Sequence, residues 1–91
     1  MTMISYGEQT LPIQAKTKVR YSILVDEISF MNGQILCEYY GVQVDMDDES
    51  KQIRYITTNQ EAILELLERL ESGMVTPVTL YDVVSDWVEY A

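Results

Sequence analysis

Apolar and polar positions alternate through most of the stretch from Lys18 to Met46. The first half reads KVRYSILVDEISFM (18–31) and the second QILCEYYGVQVDM (34–46). Both are rich in β-branched and aromatic residues, which suit a pleated, half-buried surface. The Asn32-Gly33 pair between them supplies the two positive-φ positions of a tight hairpin turn. Setting Met31 opposite Gln34 places Val19, Tyr21, Ile23 and Val25 against Met46, Val44, Val42 and Tyr40 on one face. Arg20 then meets Asp45, and Ser22 meets Gln43, on the other face. A one-residue slip would invert both faces, so the alternation selects this register.

A third strand follows. A tight turn that pairs Asp47 with Ser50 sets Ile53 opposite Val44 and Tyr55 opposite Val42, on the apolar side. Asp48 and Glu49 suit an exposed turn, and a longer loop of the same parity serves equally well. At the hairpin tip the pattern breaks, because Glu27 faces Glu38 on the core side. Like charges directly opposite are unfavourable. Either the tip projects beyond the core, or a bulge near Asp26-Glu27 or Gly41 re-aims the side chains.

Beyond Thr57 the period changes to that of a helix. Thr58, with Glu61 three residues later, has the form of a capping box. Ile63, Leu66, Leu67 and Leu70 recur at helical spacing, with Leu64 on the margin, and Gly73 marks the stop. A second helix starts at Thr79 with Asp82, or at Thr76 with Pro77 in its first turn. Its apolar stripe is Leu80, Val83, Val84, Trp87, Val88 and Ala91. Residues 1–16 show neither period and are expected to form a partly mobile tail, with the docking of Met3, Ile4, Tyr6, Leu11 or Ile13 left open. The expected architecture is α+β: a three-stranded antiparallel meander followed by two helices on one face (βββαα), as one domain over residues 17–91.

The segments YITTNQEAILELLERLESG and TPVTLYDVVSDWVEYA resemble a family of short Firmicutes, mainly clostridial, proteins of unknown function. The resemblance covers residues 18–91, and TPVTLYDVV is its more specific part. It implies a bacterial cytosolic origin and transfers no catalytic or binding residue.

Charge and composition narrow the classes of function. The 91 residues carry a net charge of −9. Residues 60–91 hold seven acidic side chains against Arg69 alone. Binding to phosphate backbones or anionic lipid needs clustered Lys and Arg, so nucleic acid and membrane are disfavoured as partners. One Cys cannot form an internal disulfide. No apolar run reaches the roughly 20 residues of a membrane span, and the N-terminal residues lack the apolar core of a signal peptide. A cytoplasmic protein is expected.

Candidate chemistry is sparse. The sequence contains no His, which removes the commonest general base and metal ligand. Cys37 lies mid-strand beside acidic neighbours that oppose thiolate formation. Asp45–Ser50 (DMDDES) opens like a calcium loop, but Ser50 stands where a turn Gly belongs and Ile56 where a ligating Glu belongs. Tyr21, Tyr40, Tyr55 and Trp87 read as core aromatics. No cofactor and no catalytic residue is expected.

In this register Leu24, Phe30, Ile35, Tyr39 and Ile56, with Ile28 and Cys37, gather on the sheet face away from the helices. An apolar patch rimmed by polar residues marks an interaction site. The alternatives are that the N-terminal residues cover it through Ile4, Tyr6 or Leu11, or that a bulge turns the tip residues into core. The expected function is a non-enzymatic protein–protein interaction module, self-association included. A small-molecule or divalent-metal-binding regulatory domain using the acidic turn is the rival.

Overall fold

The computed structural model describes residues 1–11, 17–29, 32–33 and 35–90, with Ile35, Leu36 and Tyr90 described in their backbone only. The element order is β1 (Thr2–Thr10), β2 (Lys18–Ser29), β3 (Ile35–Met46), β4 (Glu49–Thr57), α1 (Gln60–Ser72) and α2 (Leu80–Tyr90). The strands form one antiparallel sheet in the order β1-β2-β3-β4. The fold is thus α+β with two helices, as the periodicities indicate, but the sheet has four strands rather than three. The extra strand comes from the residues expected to be a tail. TMISYGEQT pairs with β2 from Thr2↔Val25 to Thr10↔Lys18, with a register shift between Ser5 and Gly7. It carries no sequence period because it is an edge strand. Almost every residue is exposed, so neither face needed to be uniformly apolar.

The β2–β3 register is the expected one from Val19↔Met46 through Ile23↔Val42 to Ile28↔Cys37; it then shifts by one residue, so that Ser29 pairs with Ile35 where the expected register has Leu36. Gly33 takes φ 81° in the turn, a conformation open mainly to glycine. Glu27, Ile28, Ser29 and Glu38 are all exposed, so the tip projects past the core and the two carboxylates face water. Val19, Tyr21, Val42 and Val44 on the inner face are fully buried against Ile63, Leu66, Leu67 and Leu70 of α1. Ten or so such aliphatic side chains, at roughly 1.5–3 kcal/mol each for full burial, are the main drive for the fold.

Tyr21 ties the sheet to the helix connection. Its hydroxyl donates to the Val75 carbonyl at 2.9 Å inside the core. Val75 is held there by the end of α1, where Met74 N–H donates to Glu71 and Val75 N–H to Leu70. This Schellman-type closure puts the left-handed residue at Met74 (φ 50°), one position after the Gly73 expected to stop the helix. The start of α1 also differs from expectation. Asn59, not Thr58, is the N-cap: its side chain accepts the Ala62 N–H at 3.1 Å, while Thr57 Oγ1 accepts the Asn59 N–H. Asn and Thr are both strong caps, and the longer β4 pushes the boundary one residue on. At the other helix, Val83 N–H donates to the Thr79 carbonyl, so α2 begins from Thr79.

The β3–β4 turn is of the expected length but lies one residue earlier on both strands. Met46 pairs with Glu49, leaving Asp47-Asp48 as a two-residue loop with Asp47 at φ 47°. Asp tolerates that region because its short side chain bonds locally. Parity is kept, so Ile53, now opposite Val42, still points inward. Beyond Ile53 the ladder breaks: the next pair is Tyr40↔Thr57, and Arg54, Tyr55 and Ile56 bulge out of register around Gly41. A Cβ on Gly41 would collide with the Ile53 carbonyl oxygen and lie 2.8 Å from the Arg54 Cα. Only glycine admits the β4 backbone that close.

Two outcomes follow from this packing. Gly41→Ala must displace β4 and is expected to lower stability by about 1–3 kcal/mol, the usual range for overpacking; a denaturant midpoint equal to wild type would contradict the close approach. Burial, with a smaller contribution from the Glu71 charge, pushes the Tyr21 hydroxyl from 10.0 up to about 12. Its folded value lies above its unfolded one. The associated stability is therefore complete below pH 10.0 and lost as pH rises towards about 12. Tyr21→Phe should remove that alkaline step and, by leaving the Val75 carbonyl without its donor, cost about 1–3 kcal/mol at neutral pH. Ultraviolet titration of tyrosine in the folded protein and the denaturant midpoint read the two effects separately.

Candidate functional site

The bulge in β4 decides which side chains reach the surface. Tyr55 takes φ 58°, a strained conformation for a bulky residue that costs on the order of 1–3 kcal/mol. Reversing the backbone there exchanges the sides of two residues. Tyr55, expected in the core opposite Val42, is 53% exposed and rests edge-on against Tyr39, with ring centroids 5.7 Å apart. Ile56, expected on the face away from the helices, instead packs against the main core. Its placement in the outer patch is corrected accordingly.

On that outer face Arg54 reaches across β3 to Asp26. Its Nε donates to Oδ2 at 3.1 Å and its Nη2 to Oδ1 at 2.5 Å, a two-point clamp on a carboxylate side chain only 6% exposed. Nη2 also lies 3.2 Å from the Tyr55 hydroxyl, and the guanidinium sits 5.1 Å from the Tyr55 ring centroid. The Arg54 hydrogen bonds, opposed by burial, hold the Asp26 carboxyl below its ordinary 3.8, and Asp26 in turn raises Arg54. This cluster is a brace: the acid is buried and satisfied on both oxygens.

Of the five residues expected to form the interaction patch, the three whose side chains are described, Leu24, Tyr39 and Ile56, do not form one exposed surface. Leu24 is fully buried between Met3 and Gly41 in register. Tyr39 is half-buried beneath Tyr55. Ile56 belongs to the other face. Phe30 lies outside the described residues, as does the Ile35 side chain. Ile28 is 38% exposed near the tip. Thr2–Thr10 extend the sheet as β1 rather than fold over this face, Leu11 packs on the helix-side core, and Ile13 lies outside the described residues. Beside the acidic turn the Asp45 carboxylate accepts Gln43 Nε2 at 3.0 Å and Ser50 Oγ at 2.6 Å, while Asp47, Asp48 and Glu49 are exposed. Among the described residues no three acidic or thiol side chains converge as metal ligands would.

The open apolar surface lies instead on both flanks of α2. Among the described residues of its stripe Leu80 and Val84 are buried, Val83 and Trp87 are half-buried, and Val88 is 52% exposed; Ala91 lies outside the described residues. At 100° per residue this stripe spans about 140°, more than one seam against a sheet edge can cover. A cleft of about 710 Å³ separates α2 from α1, lined by Ile56, Ala62, Leu66, Val83, Trp87 and Val88. Glu65, Arg69 and Asp86 stand on its banks. On the other flank a depression of about 400 Å³ runs between α2 and β4, lined by Ile53, Tyr55, Ile56, Tyr81, Val84 and Val88. Ile56 and Val88 border both. The sequence assigned Trp87, Val83 and Val88 to the core on periodicity alone; the width of their stripe was the available sign that some would stay uncovered.

Fold and site define a small α+β domain, a four-stranded antiparallel sheet backed by a helix pair with an apolar cleft between the helices. The chain belongs to DUF6514, a family of unknown function, whose family model matches residues 1–90, β1 included. No curated protein and no solved structure matches it. Among the described residues no helix is long and apolar enough to cross a membrane.

The brace carries a pH signature. The folded Asp26 value is depressed, so its contribution to stability is present above its ordinary 3.8 and lost as pH falls below that through the lower folded value. Arg54→Gln should destabilise the protein at neutral pH and flatten the acid limb of its stability profile below about pH 4. Parallel acid limbs in wild type and variant would count against the clamp.

Proposed function

We propose that this protein is a non-enzymatic protein–protein interaction module of the bacterial cytosol that engages its partner along α2. The observation that carries the reading is a helix whose apolar stripe is only half used by its own fold. Trp87, Val83 and Val88 border an open cleft of about 710 Å³, and Tyr55 and Tyr81 border a second depression on the opposite flank. Aromatic side chains half-sunk in such a surface are the usual anchors of protein interfaces, because they desolvate a large area at little rotamer cost. The strained Tyr55 fits the same reading. Its conformation costs energy, is held by the Arg54–Asp26 brace, and leaves Tyr55 among the residues that line the depression between β4 and α2. The single clamped carboxylate and the absence of His in the sequence favour binding over catalysis. The bacterial cytosolic setting rests on the resemblance to Firmicutes proteins and the lone Cys.

Val88 is the residue to test, since it borders both depressions and is half-exposed. Val88→Asp should shift folding stability by no more than about 0.5 kcal/mol, as exposed substitutions do, while abolishing capture of the proteins that the wild type retains from native lysate. Leu64→Asp, at an exposed position on α1 bordering neither depression, should leave capture intact. Identical captured sets for Val88→Asp and wild type, at equal stability, would refute the reading.

A further inference from the structure

The two edges of the sheet differ in a way that is independent of the surface along α2. β4 carries Lys51 and Arg54, loses its register around the left-handed Tyr55 and has α2 beside it. Charge, a bulge and a flanking helix are the means by which a sheet edge is blunted. The first half of β1 has none of them. Thr2–Ser5 pair in unbroken register with Val25–Ser22, and no charged side chain or Pro occurs from Met1 to Gly7. Protection begins only further on, with the register shift between Ser5 and Gly7 and the Glu8–Lys18 ion pair at 3.5 Å. Beyond β1 no further strand pairs among the described residues, so its outward backbone donors and acceptors stand open to one. Ile4 is 50% exposed and lies opposite Ile23, and Ile23 and Val25 on that helix-side face are themselves only half-buried. The occupant of such an edge is an extended strand. Charge favours the strand of a second copy. Two chains of net charge −9 repel, so they can meet only where no acid stands. In an antiparallel pairing centred on Ile4, Thr2 meets Tyr6, Met3 meets Ser5 and Ile4 meets its own counterpart, with no acidic residue among them.

We propose that β1 is a self-pairing edge: two copies join antiparallel over Thr2–Tyr6 about a two-fold axis at Ile4. The two four-stranded sheets then run on as one sheet of eight strands, with both helix pairs on the same side. Backbone hydrogen bonds hold the seam, and Ile4 from each copy covers the half-buried Ile23 and Val25 strip. Each molecule has one open and one blunted edge, so the assembly closes as a dimer instead of growing into a fibre. A seam this short falls below the roughly 1,200–2,000 Å² of a stable interface, so the dimer is weak and forms as concentration rises.

Light scattering on the full chain tests this directly. The apparent mass of wild type should rise about twofold as concentration is raised towards roughly 1 mM. Amide exchange within Met3–Tyr6 should slow about twofold or more over the same range, a readout that needs no variant. The two-fold axis makes a sharper demand. Ile4→Lys places Lys opposite Lys, and Ile4→Glu places Glu opposite Glu, so each variant alone should stay at monomer mass. An equimolar mixture sets Lys against Glu and should recover the twofold rise, which also shows that both variants fold. A wild-type mass that stays constant with concentration would overturn the inference. So would a rise without slower exchange in β1, a rise in either single variant equal to wild type, or a mixture that fails to recover it. A mass that climbs well past twofold would mean open assembly and overturn the closed pair. A rise kept in Ile4→Lys but lost in Val88→Asp would move self-association to α2, overturning this inference and leaving the α2 reading standing. Constant mass together with a captured protein lost in Ile4→Lys would make a foreign strand the occupant and overturn it too.

Discussion

The passage of the β4 backbone over Gly41 is the constraint on which most of this structure turns. Because Gly41 has no side chain, the Ile53 carbonyl and the Arg54 Cα come down almost onto β3. The ladder cannot continue at that spacing, so Arg54, Tyr55 and Ile56 leave it, and the pairing resumes only at Thr57. From that one approach come the left-handed Tyr55, the inward Ile56 and the outward Arg54 that clamps Asp26. The bulge also sets the line along which β4 delivers the chain into α1.

The helices complete the core without sealing it. α1 is seated along its whole stripe, with Ile63, Leu66, Leu67 and Leu70 all buried on the Val19/Tyr21/Val42/Val44 face. α2 is joined to it through a connection pinned by Tyr21 to the Val75 carbonyl, and that pin fixes where α2 starts. It arrives near the β4 edge, where Leu80 and Val84 are buried and the rest of the stripe overhangs. The sheet and α1 hold most of the buried core, and part of the apolar surface of α2 stays uncovered.

The proposed site therefore lies where packing is incomplete. The outer face of the sheet, which the alternation marked as the open side, is closed at its middle by residues the bulge turned onto it. The helix face, which periodicity marked as core, is the one left partly open. Both reversals have the same cause: the sheet's apolar complement was counted strand by strand, and the bulge and the limited width of the helix pair changed which residues found cover.

Much of the fold was legible from residues alone. The β2–β3 register follows from alternation locked by Asn32-Gly33, because a slip of one residue exposes every apolar side chain at once. The α1 stripe follows from helical spacing, and the inward face of Ile53 from parity. These are local, periodic signals, and each has a large penalty for error. β1 was not legible, since an exposed edge strand is held by backbone hydrogen bonds that any sequence can make. Nor were the cap at Asn59, the left-handed Met74 or the bulge at Tyr55. Each is settled by differences of about 1 kcal/mol between neighbouring residues, and tertiary contacts outweigh propensity at that scale. The sequence by itself determined which residues are apolar and with what period. Only the tertiary structure decided which of them are covered, because cover depends on how close two backbones come, and at Gly41 that distance is set by a side chain that is missing.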